Sequence, residues 1–220
     1  CVTRRQRQMC IRDSYNIKKN IVYTSILPTT TQYCRNSIFS GLSPIDINKF
    51  HPNYWVNETD EGGKNKYEDE LINEQFLRLG IKSNYKYHKI SNPKDGESFL
   101  NRMSNEKQNE LTVMVYNFVD MISHAKKDVK FIKELASSDR AYRELTKGWF
   151  KNSKLNEIIK KGKDLGFKII ITSDHGTINV DKATLVSGDK EISNNLRYKT
   201  SRQIHSSKKE VLNLKNPEKF

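Results

Sequence analysis

Three runs of apolar, largely β-branched residues dominate the pattern of this chain. They are Ile21-Val22-Tyr23-Thr24-Ser25-Ile26-Leu27, Leu111-Thr112-Val113-Met114-Val115-Tyr116-Asn117-Phe118 and Phe167-Lys168-Ile169-Ile170-Ile171-Thr172. Each has the length of a strand, and each is nearly continuous in its apolar residues, as expected of a strand covered on both faces. Helical patterns lie between them. Thr31–Ser40 reads as a helix stopped by Gly41, and residues 67–79 as an amphipathic helix with Gly80 just beyond. Residues 129–165 read as two or three helical pieces, broken near Ser137-Ser138 and Lys151-Asn152. Tyr85–Ile90 alternates like a further strand. Residues 176–220 are polar and weakly patterned, with one strand expected near 210–214. Strands separated by helices predict an α/β layered fold.

The 220 residues are enough for one large domain with a buried core. No run reaches the ~20 apolar residues of a membrane span, and residues 1–20 hold no apolar stretch for a leader. Arg4-Arg5-Gln6-Arg7-Gln8-Met9-Cys10-Ile11-Arg12-Asp13-Ser14 resembles the in-frame translation of a sequencing-library adapter. Residues 1–14 are therefore set apart from the domain, taken as 15–220; the alternative is a natural basic arm that binds nucleic acid or anionic lipid. The whole chain carries a net charge of +13, and residues 15–220 keep 35 basic against 25 acidic residues, or +10. That balance suits an anionic substrate, though charge alone serves solubility equally well. Cys34 is the one cysteine left, which cannot form an internal disulfide and fits a reducing, cytoplasmic setting.

Ligands of open α/β sheets gather at the carboxyl ends of strands. Each strong run leads into a polar cluster there: Thr29-Thr30-Thr31, then Asp120-Met121-Ile122-Ser123-His124, then Ser173-Asp174-His175-Gly176. Asp120 and His124, four apart, share one face of a helix and could hold a metal ion; equally, they suit a solvated helix start. Asp174 and His175 are neighbours and converge only if the chain turns, which Gly176 permits; the alternative is a plain polar turn. Thr31 at a helix start has the place of an activated nucleophile, or of a capping residue.

The segment 28–41, with Thr31 three residues after Pro28 and Gly41 closing the helix, resembles the nucleophile segment of the alkaline-phosphatase superfamily. Thr172-Ser173-Asp174-His175-Gly176 and the Asp120/His124 pair resemble its metal motifs. Ser25-Ile26-Leu27-Pro28-Thr29, Asp60-Glu61-Gly62-Gly63-Lys64-Asn65, Tyr116-Asn117-Phe118-Val119-Asp120 and Asn195-Leu196-Arg197-Tyr198-Lys199 resemble, in order, the PglZ domain of PorX-type response regulators. The resemblance implies an incomplete three-layer α/β/α sandwich of the alkaline-phosphatase type. It implies a phosphodiesterase acting on oligonucleotides with two Zn²⁺ ions, Thr31 as nucleophile and metal ligand, and Asp120, His124, Asp174 and His175 as further ligands. Arg35, Lys64, Arg197 and Lys199 are candidates for substrate phosphates, with solvated surface charge as their alternative. The implied setting is a cytoplasmic regulator of type IX secretion, with a sensor histidine kinase and a sigma factor as partners of the full-length parent, no membrane contact, and a homodimer left open.

Two expected ligands have no counterpart: an early Asp before Ile21 and a late His beyond Phe220, for which His205 is a possible substitute. A receiver domain is expected upstream. The fragment is thus expected to be a poor enzyme, each ion lacking one ligand. Rival readings are a phosphatase or phosphomutase of the same superfamily, a non-catalytic metal-binding signalling module, and a nucleic-acid-binding domain driven by charge alone.

Overall fold

The computed structural model describes residues 18–57, 60, 62–117, 134, 138–176, 182–190, 192–193, 197–201, 203–206 and 211–212. Residues 1–14, expected to pack on nothing, lie outside that set, as does most of the strand expected near 210–214. In chain order the elements are α1 (Thr31–Ser40), α2 (Pro44–Phe50), α3 (Glu68–Leu79), β1 (Tyr85–Ile90), α4 (Pro93–Arg102), β2 (Leu111–Tyr116), α5 (Asp139–Asn152), α6 (Lys154–Asp164), β3 (Ser187–Gly188) and β4 (Ile204–His205). Single 3-10 turns cover Pro52–Tyr54 and Met103–Gln108. The chain forms two compact units, one of residues 21–81 and 173–220, the other of residues 1–20 and 82–172.

The unit of residues 82–172 is organised by a β-α-β crossover. β1 and β2 pair in parallel from Tyr85 opposite Leu111 to Ile90 opposite Tyr116, and α4 connects them. The sequence dictates where α4 starts. Asn92 accepts the Asp95 amide with its side chain and Pro93 fills the first turn, where its missing N–H costs nothing. Asp95 reaches back to accept the Ser91 amide at 3.1 Å, a reciprocal cap. Gly96 lets α4 approach closely: a Cβ there would lie 3.2 Å from Lys154 Cβ. Ile90, Phe99, Met103 and Ile158 form the core, with Leu100, Met114, Tyr116, Leu165 and Phe167 packed around them. Burial of each such large side chain stabilises by ~1.5–3 kcal/mol. Ser138 and Ser153 cap α5 and α6 by accepting amides three residues on.

In the unit of residues 21–81 and 173–220, α1 packs on α3. Gly41 ends α1 in the left-handed conformation, φ 62°, which selects glycine. Arg78 of α3 donates to Ser40 O at 2.8 Å, satisfying a carbonyl at the end of α1. Cys34, Ile47, Val56, Leu71 and Ile72 are its buried apolar residues. Gln32, Asn36, Ser40 and Glu68 are buried with them. β3 and β4 form a two-residue antiparallel pair.

The predicted helix Thr31–Ser40 forms with those bounds, and α3 begins one residue later than expected. The pieces of 129–165 are α5 and α6, broken at Ser153, with residues 129–133 and 135–137 outside the described set. β1 forms as predicted and β2 stops at Tyr116. The other two strong runs correct the expectation. Residues 21–27 and 167–172 have no ladder partner among the described residues, and Val22 and Ile170 are 81% and 89% exposed. An apolar run specifies an extended segment, but a strand also needs a neighbour's backbone. In 167–172, Phe167 and Ile169 approach Gly162 while Ile170, facing the other way, is left in solvent. The fold is mixed α/β with small sheets. Among the described residues no helix is long and apolar enough to cross a membrane.

Candidate active site

Thr31 meets the sequence-distant neighbours Asp174 and His175 within the unit of residues 21–81 and 173–220. Thr30 takes the N-cap of α1 with extended backbone, φ −124° and ψ 155°, and makes no side-chain cap bond. Thr31 is therefore the first helical residue, and its hydroxyl is directed elsewhere: Thr31 Oγ1 lies 3.3 Å from His175 Nε2. Asp174 Oδ2 lies 3.6 Å from the same nitrogen. Asp174 and His175 converge because the chain leaves its extended course at Ser173–Asp174, where Ser173 Oγ donates to His175 O at 3.2 Å.

Both ring nitrogens of His175 have polar neighbours. Its Nδ1 is 2.9 Å from Gly176 O, so a proton on Nδ1 has an acceptor. Nε2 faces Thr31 Oγ1 and Asp174 Oδ2. Arg197 Nη1 is 3.3 Å from Nδ1 and donates to the Thr29 carbonyl. The guanidinium thus lies over the turn before Thr31 and beside His175.

The trio is a coherent donor set of one hydroxyl, one carboxylate oxygen and one imidazole nitrogen. Ligands ~2.0–2.1 Å from a tetrahedral zinc ion lie ~3.3–3.4 Å from each other. The separations of 3.3 and 3.6 Å about Nε2 are close to that spacing, so Thr31, Asp174 and His175 could share one ion. Among the described residues no group of three His, Cys, Asp or Glu side chains gathers to hold a metal, so the Thr31 oxygen is needed to complete the set. Asp120 and His124, the expected ligands of the other ion, lie outside the described residues.

A polar scaffold holds α1 in place. Asn65 Nδ2 donates to Thr31 O at 3.2 Å and to Asn36 Oδ1 at 3.0 Å, and Asn36 Nδ2 donates to Lys64 O at 3.1 Å. Gln32 Nε2 donates to Val56 O at 2.7 Å. Arg35 pairs through Nε with the buried Glu68 carboxylate. Cys34 packs beneath the turn that precedes Thr31, and burial pushes its thiol above the ordinary 9.0, with the Asp174 charge acting in the same direction. It is a buried, protonated neighbour of the site.

Of the candidates for substrate phosphates, Arg197 lies beside Thr31 and His175. Arg35 turns to Glu68, Lys64 donates to Asp60 O, and Lys199 donates to Ser193 O at 2.7 Å. His205 stands in β4. The sequence reading missed Asn65, Glu68, Tyr23 and Ser25. Tyr23 and Ser25 are polar-tipped residues two apart inside an apolar run, and that spacing was the available signal.

The chain has no match among curated proteins. Residues 6–219 match the family model of the BREX system PglZ alkaline phosphatase-like domain. With Thr31, Asp174 and His175 gathered at the start of α1, and with nearly the whole chain covered by that match, the protein belongs to the PglZ family of alkaline phosphatase-like domains, whose superfamily chemistry is phosphoester hydrolysis.

Proposed function

We propose that the chain is the phosphodiesterase domain of its parent protein, with Thr31 as the nucleophile. The observation that carries this reading is the 3.3 Å approach of Thr31 Oγ1 to His175 Nε2, with Asp174 alongside. Thr31 Oγ1, its proton lost to solvent, attacks phosphorus in line with the leaving alkoxide, which departs and takes a proton from water; the resulting phosphothreonine is then hydrolysed by water to free Thr31 and a phosphomonoester. The first amides of α1 and the Arg197 guanidinium face the anionic phosphate. Asp174, His175 and Thr31 would hold one Zn²⁺, and Asp120 and His124 the other. Bound zinc supplies a lowered hydroxyl pKa and charge neutralisation at the phosphate.

A diester of nucleotides is the substrate class favoured. Tyr33 stands two residues beyond Thr31, and its ring lies 5.7 Å from Trp55 and 5.8 Å from Tyr198, which follows Arg197. Aromatic faces next to cationic side chains suit nucleobases joined to phosphate. The complete domain is read as a three-layer α/β/α sandwich, in a cytoplasmic response regulator of type IX secretion with a receiver domain upstream. That setting rests on the segments 60–65 and 195–199.

The test uses the full-length gene product on a dinucleotide diester and on a phosphate monoester, with and without a chelator. Diester hydrolysis should stop on chelation, and Thr31→Val should lower turnover by at least ~10³-fold while bound zinc largely remains. Near-parental turnover of that variant would remove Thr31 as nucleophile. A preference for the monoester would favour a phosphatase or phosphomutase. Zinc without turnover would favour a signalling module, and binding that survives chelation but weakens steeply with salt would favour charge-driven nucleic-acid binding.

A further inference from the structure

Residues 21–27 form no ladder among the described residues, yet one face of this segment is tied to the candidate site through side chains. Tyr23 and Ser25 are two apart in extended backbone and so point the same way. The Tyr23 hydroxyl donates to Ser173 O, and the Ser25 hydroxyl donates to Asp174 O at 2.7 Å. The two side chains thus hold consecutive carbonyls of the turn that brings Asp174 and His175 together. Ser25 Oγ also lies 3.1 Å from Cys34 Sγ. Cys34 is three residues beyond Thr31, on the same face of α1, and is 3% exposed.

We infer that Ser25 is a positioning residue: it fixes the Asp174–His175 turn against the nucleophile helix and so sets the distance between Thr31 Oγ1 and His175 Nε2. Tyr23 supports it one register step back. A hydroxyl is needed because the partner is a carbonyl oxygen, which takes a donor and nothing else. With Ser25 removed, the Asp174 carbonyl loses its partner and the turn can rotate its ligands away from Thr31. This role rests on the metal reading above only for its effect on zinc. Its effect on the turn does not depend on that reading.

The test uses the full-length gene product and two readouts, zinc affinity by competition with a chromophoric chelator and amide hydrogen exchange in metal-free protein. Ser25→Ala should weaken zinc by ~10–100-fold, the range for loss of a group that orients a ligand. Ser25→Thr, which keeps the hydroxyl, should restore it. Tyr23→Phe, at a side chain open enough to tolerate the change, should weaken zinc in the same direction by less. In metal-free Ser25→Ala, exchange should quicken at Asp174, His175 and Gly176 and stay parental through β1 and β2. Parental zinc affinity in Ser25→Ala, or exchange that quickens uniformly across the chain, would overturn the inference. A parental protein that binds no zinc would sink the metal reading instead, and the exchange comparison would still decide the role of Ser25.

Discussion

The two compact units are held together by different chemistry. Among the described residues of the unit 82–172 the buried side chains are apolar apart from the helix cap Ser153: Ile90, Phe99, Met103, Val115, Ile158 and Ile159. In the unit that carries Thr31, Gln32, Asn36, Ser40 and Glu68 are as buried as its apolar residues. These polar side chains converge on α1, the helix whose first turn presents the hydroxyl. Apolar packing is non-directional and tolerates small shifts, whereas hydrogen bonds fix distance and angle. A site that must hold an oxygen and a nitrogen 3.3 Å apart is served by the second kind of core.

The difference should be largest when one buried charge is stranded. Arg35→Ala leaves the Glu68 carboxylate, 1% exposed, without its cation and should cost ~3–5 kcal/mol. Replacing both partners by apolar residues, Arg35→Met with Glu68→Leu, should recover most of that loss. Phe99→Ala should cost a similar ~3–5 kcal/mol in the other unit through its cavity, but no second substitution at a single partner should restore it. Trp55 and Trp149 fall one in each unit and are the only two tryptophans, so urea unfolding followed in Trp→Phe variants reads each unit separately. If Arg35→Ala shifts neither transition, the ion pair is not what holds α1 to α3.

Single hydrogen bonds give the next, smaller contrast. Asn92→Ala removes the cap of α4 and should cost ~0.5–2 kcal/mol in the unit that Trp149 reports. Asn65→Ala leaves Thr31 O and Asn36 Oδ1 short of a donor and should cost ~1–3 kcal/mol in the unit that Trp55 reports. Asn65→Ala should also lower turnover on a diester by more than its stability loss explains, because it loosens the first turn of α1. Asn92→Ala should leave turnover unchanged. Equal effects of the two on turnover would mean that the polar core serves stability alone.

Local signals made part of this arrangement legible in the sequence. Gly41 and Gly80 marked helix ends because a left-handed residue is needed there, and both take it, at φ 62° and 67°. Thr31, Asp174 and His175 could be singled out because chemistry-bearing residues followed apolar runs, and Arg197 because its segment 195–199 resembles that of PglZ domains. The runs themselves misled where pairing was at stake. Residues 111–116 pair with β1, while 21–27 and 167–172 form no ladder among the described residues, and nothing in an apolar run states which backbone will lie beside it. The polar scaffold was opaque for a related reason. Asn65 and Glu68 look like surface residues in composition, and only their long-range partners distinguish them.

The smallest expected contrast is in pH dependence. Burial raises the Cys34 thiol above its ordinary 9.0; the Ser25 hydrogen bond is the main opposing effect, the Asp174 charge adds to the rise, and the Thr30 backbone and Arg197 lower it less. Burial likewise raises Tyr116 above 10.0, opposed by the Leu155 backbone. Each group binds its proton more tightly folded than unfolded. Its contribution to stability is therefore complete below the unfolded value and is lost as pH rises through the folded one. The unit with Cys34 should begin to weaken above pH 9.0, and the unit with Tyr116 about one pH unit higher. One group can contribute a slope of at most ~1.4 kcal/mol per pH unit, so the effect is small and is best read as a difference between variants. In a background lacking Cys1 and Cys10, Cys34→Ala should flatten the Trp55-reported urea midpoint between pH 9 and 10 and leave the Trp149-reported one unchanged. Tyr116→Phe should do the converse above pH 10. A Cys34→Ala profile as steep as the parent's would show that the thiol is not shielded in the folded state, and that the space beneath the Thr31 turn is open to water.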